Sequence, residues 1–284
     1  MMYLFSFEDF LANLLTRCFE RFIIDHDLHI HSKLSLCSNH PEQTPSAILE
    51  YAQRLGLRHI CLTDHYWDDA VPGASDWYKA QNYAHIEKAL PLPKADGITF
   101  DFGCETDFDK HMTLGIGKEA MEKFDFIIVP TSHLHMTGFT IEKSMKSAAE
   151  RAKFYMERNH ALLDMDLPFE KMGLAHFTCS LMDRGCDEKS NVILDMITDA
   201  EFSEFFTRAA SKGIGIELNT PLIKSSDDAE LRPYKIAKAC GCKFYLGSDA
   251  HTPKDLLAAL ARFEAITNAL DLTEDDKFPF VKNK

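Results

Sequence analysis

The chain has 284 residues, 45% hydrophobic and 26% charged, an ordinary soluble composition with length enough to bury a full core. Its 44 acidic residues against 31 basic ones give a formal net charge of −13. That balance argues against a surface built to hold long nucleic acid, while a small anion stays open if metal ions supply local positive charge.

The eight cysteines are scattered without C-x-x-C pairing, several in apolar runs such as His59-Ile60-Cys61-Leu62, and read as reduced thiols of a cytosolic protein. Glu8, Asp9, Arg17, Glu20 and Arg21 break up the apolar N-terminus, so neither a signal peptide nor a membrane span is expected and the location is expected to be cytoplasmic. Phe7, Phe10, Leu11, Leu14, Leu15, Cys18, Phe19 and Phe22 recur at helical spacing behind Ser6 as a cap. Residues 1–24 are therefore expected to contain an amphipathic helix, and residues 25–284 one domain on which it packs.

Ile24 to His31 reads as the first strand. Alternation would put Asp25, Asp27, His29 and His31 on one face and His26, Leu28 and Ile30 on the other. A polar loop follows, and Thr44-Pro45 then opens a helix that Gly56 ends. Leu57 to Thr63 is the second strand, ending in Asp64-His65, and Ile98 to Cys104 the third, ending in Glu105-Thr106-Asp107. Phe124 to Val129 runs into Ser132-His133-Leu134-His135, with a helix expected from about Ile141 to Asn159. Met172 to Ala175 ends at His176, and a charged insertion leads to a helix over Val192 to Ser211. Gly213 to Leu218 ends at Asn219, Cys242 to Leu246 ends at Gly247-Ser248-Asp249-Ala250-His251, and Thr252-Pro253 starts the last helix.

Strands alternating with helices imply mostly parallel pairing. Seven strands whose polar residues gather at their C-terminal ends suggest a closed or nearly closed α/β barrel with its site on that rim. No G-x-G-x-x-G or P-loop supports the open doubly wound alternative. A barrel rim would bring His29, His31, Asp64, His65, Glu105, His133, His135, His176, Asp249 and His251 into one bowl. So many imidazoles and carboxylates exceed one tetrahedral zinc site and suit two or three divalent cations. His26 points away from the pair at His29 and His31, and His59, His85, His111 and His160 lie off the pattern, so these read as packed or solvated.

In this order, Asp27-Leu28-His29-Ile30-His31-Ser32, Leu62-Thr63-Asp64-His65, Gly103-Cys104-Glu105, Ser132-His133, Ala175-His176 and Gly247-Ser248-Asp249-Ala250-His251 resemble the motifs of the PHP family (polymerase and histidinol phosphatase). The resemblance runs from about residue 25 to 263. It implies a distorted seven-stranded (β/α) barrel, TIM-like, with up to three zinc, manganese or iron ions at the rim. One ion would be held by His29, His31, Glu105 and Asp249. A second would share Glu105 and add His133 and His176. A third would take His65, His251 and a residue of the loop after His31, where the family's phosphatases usually have histidine. Here that position is Cys37, with His40 three residues on, and thiolate is itself a good zinc ligand.

Asp64 is expected to orient a histidine ligand, and His135 to contact substrate. Lys33, Arg184 and Lys224 are candidates to hold phosphate, and Asn219 is favoured over Glu217 for lining the bowl. Paired cations would supply hydroxide near neutral pH and offset charge on a phosphoryl group in flight, so hydrolysis of a phosphate ester is the expected chemistry. A small phosphorylated substrate, with histidinol phosphate the leading instance, is expected ahead of oligonucleotide ends or a non-catalytic metal module.

Overall fold

The computed structural model describes residues 21–38, 40–188, 192–219 and 229–282. Most of the expected N-terminal helix, with Cys18, lies outside these residues, as does Lys224. The last two residues of that helix behave differently from expectation. Arg21 pairs antiparallel with Thr273, and the Phe22 N–H donates to the Leu272 carbonyl at 3.1 Å.

The strands are β1 (His26–Ile30), β2 (His59–Leu62), β3 (Thr99–Phe102), β4 (Cys104–Glu105), β5 (Ile127–Val129), β6 (Met172–Leu174), β7 (Gly215–Leu218) and β8 (Lys243–Leu246). They pair in parallel in two sheets, ordered β1-β2-β3 and β4-β5-β6-β7-β8. This is an α/β fold, but the third expected strand is two pieces. At Gly103 the N–H donates to Leu62 O in the first sheet at 2.8 Å, and the next N–H, Cys104, donates to Phe126 O beside the second at 3.1 Å. A Cβ at Gly103 would stand 2.4 Å from Phe126 O and 2.7 Å from Cys61 Sγ, so the crossing needs glycine.

At the other margins the two sheets also touch. Asp249 N–H donates to His29 O at 2.8 Å and His31 N–H to Ala250 O at 3.1 Å. Both sheets feed one inner apolar cluster of Leu28, Cys61, Phe126, Ile128, Ala175 and Tyr245, closed from one end by Phe278 and Val281. Their strand neighbours Ile60, Leu62, Ile127 and Val129 join the larger outer cluster under the helices. That two-residue alternation between two buried faces explains the near-continuous apolar strands.

β1 departs from simple alternation. Asp27 pairs with Ile60 and Ile30 with Leu62, so three residues of β1 advance against two of β2. This extra residue is a bulge, which re-aims the side chains beyond it. Asp27 consequently does not share the face of the histidines. It accepts from Tyr51 Oη at 3.0 Å and from Ser248 N at 2.9 Å, while His29 and His31 turn to the rim.

The main helices are α1 (Pro45–Leu55), α2 (Ala148–Asp164), α3 (Asp199–Lys212), α4 (Arg232–Ala239) and α5 (Pro253–Ala269). α1 has the expected ends, a Thr44 cap accepting from Ala47 N and Gly56 at φ 71. α2 begins later than the spacing suggested, because Gly138 N–H donates to Ile141 O at 2.7 Å and Thr140 Oγ1 to His133 O, which commits those residues to a turn. The expected helix over 192–211 is broken before Thr198, whose capping box with Glu201 starts α3 afresh. Among the described residues no helix is long and apolar enough to cross a membrane, and the cysteines there lie outside any disulfide.

His26 shows what the inner end of β1 demands. It is fully buried, with Nδ1 2.9 Å from Asp25 Oδ1 and Nε2 accepting the Leu246 N–H at 2.9 Å. Burial outweighs the help of Asp25 and depresses its pKa from 6.5 to about 4. The unfolded chain therefore takes up this proton first, and folding stability falls as pH drops from 6.5 towards 4, at about 1.4 kcal/mol per unit. In His26→Gln, which keeps an acceptor but not a titrating group, urea unfolding of metal-free protein between pH 4 and 7 should show a flatter dependence than wild type. Equal slopes would clear His26 of this role.

Candidate metal centre

Every strand-end residue singled out by the sequence sits beyond the C-terminal end of its strand or on its last turns. β1 carries His29 and His31, the segment after β2 carries Asp64 and His65, and β4 carries Glu105. His133 follows β5, His176 follows β6, and Asp249 and His251 follow β8. His176 and Asp249 have φ of 28 and 52, a left-handed backbone that L side chains adopt at a cost and that clusters at functional sites.

These side chains converge on three groups of ligand atoms, each drawn together within 4.8 Å: His29, His31 and Asp249; Glu105, His133 and His176; and His31, Cys37, His65 and His251. Glu105 lies between them. Its Oε2 is 3.5 Å from His29 Nε2, 3.2 Å from His31 Nε2 and 3.1 Å from His65 Nδ1, and its Oε1 is 3.3 Å from His176 Nε2. Asp249 Oδ1 lies 3.3 Å from His29 Nε2 and 3.1 Å from His31 Nε2. Cys37 Sγ is 3.0 Å from His251 Nε2, whereas His40 belongs to none of the groups.

The far nitrogens of the rings fix which nitrogen faces inward. His29 Nδ1 lies 2.6 Å from Glu217 Oε1, and a carboxylate only accepts, so that nitrogen holds the proton. His133 Nδ1 donates to Asp107 Oδ2 at 2.8 Å, and His251 Nδ1 to the Asp249 carbonyl at 2.7 Å. His31 Nδ1 meets Ser35 Oγ at 2.9 Å, and that hydroxyl donates onward to Asp64 Oδ1 at 2.6 Å. In the neutral tautomers so selected, the inward nitrogens carry lone pairs. His29 and His31 Nε2 face each other at 3.1 Å, an approach that a proton or a cation must reconcile. Glu105 Oε2 and His65 Nδ1 are buried and have no hydrogen bond. These orphaned atoms and the N/O/S donor set fit divalent transition metal.

Electrostatics agree. Burial opposes charge on His29 and His31, yet the carboxylates of Glu217, Asp249 and Glu105 raise His29 well above its ordinary value, and Asp249 and Glu105 lift His31 to about 9. Burial is likewise outweighed at Glu105, by His65 and His29, and at Asp249, by His29 and His31, so both carboxyls are held well below the usual range. His65 and His251 go the other way, lowered by burial and by neighbouring imidazoles. Burial pushes the Cys37 thiol up. The field that gathers protons onto His29 and His31 would equally attract a cation.

The groups floor a cavity of about 510 Å³ whose wall includes Trp77, Tyr78, Met136, Phe139 and Leu181. His135 lines it, with a buried Nδ1 that has no partner. Burial, then the charge of His133, depresses its pKa to about 4. Asp64 receives Ser32 N–H at 2.7 Å and the hydroxyls of Ser32 and Ser35, so it acts on His31 through Ser35 rather than directly. Arg184 and Lys33 are exposed and outside the cavity wall. His59 is buried against Asp101 at 2.7 Å, and His85 Nε2 donates to Leu34 O at 2.7 Å.

Two supports were not foreseen, and a third was ranked second. Glu217, the less favoured of the two β7 candidates, reaches the site, where its Oε1 accepts from His29 Nδ1, while Asn219 is not among the residues lining the cavity. Asp107 grips His133 and is itself paired with the fully buried Arg158 at 2.9 Å, a partner on α2 that no local pattern announces. Ser35 lies in a loop that read only as polar.

Residues 27–221 match the family model described as PHP domain. The curated "Probable histidinol-phosphatase" of Thermotoga maritima is 26% identical over 145 residues, half of this chain, and the match spans about half, 54%, of that relative's length. Among solved structures, histidinol phosphate phosphatase (HISK) from Lactococcus lactis, complexed with zinc, L-histidinol and phosphate, aligns at a TM-score of 0.57 and 23% identity over 86% of this chain and 93% of that one. The hisK structure from Listeria monocytogenes aligns at 0.53 and 15% identity, over 81% and 96%. Both structural likenesses speak for the fold. With the family model covering well over half of its length, the chain belongs to the PHP domain family.

Proposed function

We propose that this protein is a metal-dependent phosphatase of small phosphate monoesters, with histidinol phosphate the first substrate to test. The observation that carries the reading is the convergence of three ligand groups on the floor of a cavity sized for a small molecule. The likeness to histidinol phosphatases supports it. His29, His31, Glu105 and Asp249 would hold one ion, Glu105, His133 and His176 a second, and Cys37, His65 and His251 a third. Bound there, the ions would supply Lewis-acid polarisation of phosphoryl oxygens and an acidic water near neutral pH.

The chain's own groups do the rest. The Trp77, Tyr78, Phe139 and Leu181 wall excludes water and packs on the organic part of the substrate. His135, on the cavity wall, would hold or pass a proton there, and Arg184, whose charge His135 feels, would draw an anion toward the mouth. Asp64 holds the His31 ring through Ser35. We read the two sheets as one distorted seven-stranded barrel, its third strand interrupted at Gly103, and residues 25–284 as one domain. The reduced cysteines support a cytoplasmic location, and the partner in this reading is the small phosphorylated substrate.

Protein reconstituted with zinc, manganese or iron should carry at least two ions per chain by elemental analysis and should hydrolyse histidinol phosphate in preference to a short single-stranded oligonucleotide. Less than one equivalent of metal would sink the reading.

Glu105→Ala should harm hydrolysis far more than Asp64→Asn, because one removes a ligand shared between ions and the other an orienting group, whose loss typically costs about 10–100-fold. Comparable residual rates at equal metal content would contradict the place given to Glu105.

Cys37→Ser should lose one metal equivalent while two remain, and activity should fall only in part. Cys37→His should restore the count, and His40→Ala should leave it unchanged. A lost equivalent in His40→Ala with none lost in Cys37→Ser would move the third site to His40.

A further inference from the structure

The side chain of Glu217 is fully buried on β7, touches none of the three ligand groups directly as a member, and yet both its oxygens are committed to ligand residues. Oε1 takes the His29 Nδ1 proton at 2.6 Å, and Oε2 accepts the backbone N–H of His176. His29 belongs to the first group and His176 to the second. The two contacts fix different things. At His29 the carboxylate selects the tautomer that leaves Nε2 bare. At His176 it anchors a residue whose φ of 28 needs restraint to persist.

β8 is built around this side chain. A Cβ on Gly247 would fall 1.9 Å from Glu217 Oε1 and 2.7 Å from His29 Cβ, so the glycine beside Ser248-Asp249 is the space in which the carboxylate sits. Among the described residues its ion pair is with His29 and with no lysine or arginine, so its charge is answered at the site itself.

We propose that Glu217 is a positioning residue that couples two metal positions, setting the His29 tautomer for one and the His176 backbone for the other. This inference rests on the metal reading above. In Glu217→Gln, size is kept but one acceptor becomes an NH2 donor. Facing His29, that NH2 donates to Nδ1 and moves the ring proton to Nε2, the nitrogen a metal needs bare. Facing His176, it meets another N–H and releases the turn. Neither orientation satisfies both.

The test uses the full chain as wild type, Glu217→Gln and Gly247→Ala. Competition with a chromophoric chelator should show zinc held about 10–100-fold more weakly at the His29 position in Glu217→Gln and at both positions in Gly247→Ala, while a third equivalent keeps its wild-type affinity. In metal-free protein with 15N-labelled histidine, held alkaline enough that the His29 ring carries a single proton, long-range proton–nitrogen spectra should place that proton on Nδ1 in wild type and on Nε2 in Glu217→Gln. Unchanged zinc affinity and an unchanged tautomer would overturn the coupling. A wild type that binds no zinc would fail the metal reading instead, and a wild-type His29 whose single proton, at that alkaline pH, sits on Nε2 would overturn the role of Glu217 even if neither variant folds.

Discussion

One buried carboxylate sets the terms for the rim. Glu105 stands among the imidazoles of His29, His31, His65 and His176, all within 3.5 Å of its oxygens. Packing so many polar groups out of water is costly unless each finds a partner, and here the inward atoms find too few within the protein. Most outward nitrogens, by contrast, are supplied: Glu217 for His29, Ser35 and Asp64 for His31, Asp107 and Arg158 for His133. Satisfied backs and unsatisfied fronts are what a metal site needs before its metal arrives.

That arrangement depends on departures from regular backbone. The bulge in β1 sends Asp27 to Tyr51 and Ser248 and frees the histidines for the rim. Gly103 lets the chain step from one sheet to the other, and Glu105 follows two residues later. His176 and Asp249 occupy left-handed conformations. Each departure costs stability locally, and the apolar layers inside and outside the sheets provide the rigid frame that holds it.

The sequence made the strands and the residues that converge on the rim legible because period-two apolar runs ending in His, Asp or Glu need only local reading. Thr44-Pro45 and Gly56 marked α1 for the same reason. What stayed hidden depends on long-range contacts. Strand parity in β1 failed because a bulge is a property of two strands and not of one. The start of α2 was misplaced because Ile141 serves the turn with Gly138, although its spacing suits a helix. Glu217 lost to Asn219 because nearness to the strand end is visible in a sequence, while the gap left by Gly247 on a neighbouring strand is not. Arg158 lies within the stretch expected to be helical, and nothing local marks its burial against Asp107 behind His133.

The charge balance and the site are connected. A phosphate dianion approaching a chain of net charge −13 is repelled at long range, and no lysine or arginine is among the described residues lining the cavity. Apart from Arg184 near the mouth, attraction must therefore be generated close to the floor. Two carboxylates, Glu105 and Asp249, stay ionised at that floor, which raises the affinity for cations. In the proposed function, two or three divalent ions would bring more positive charge than those carboxylates and a Cys37 thiolate remove, so phosphate affinity would follow metal occupancy.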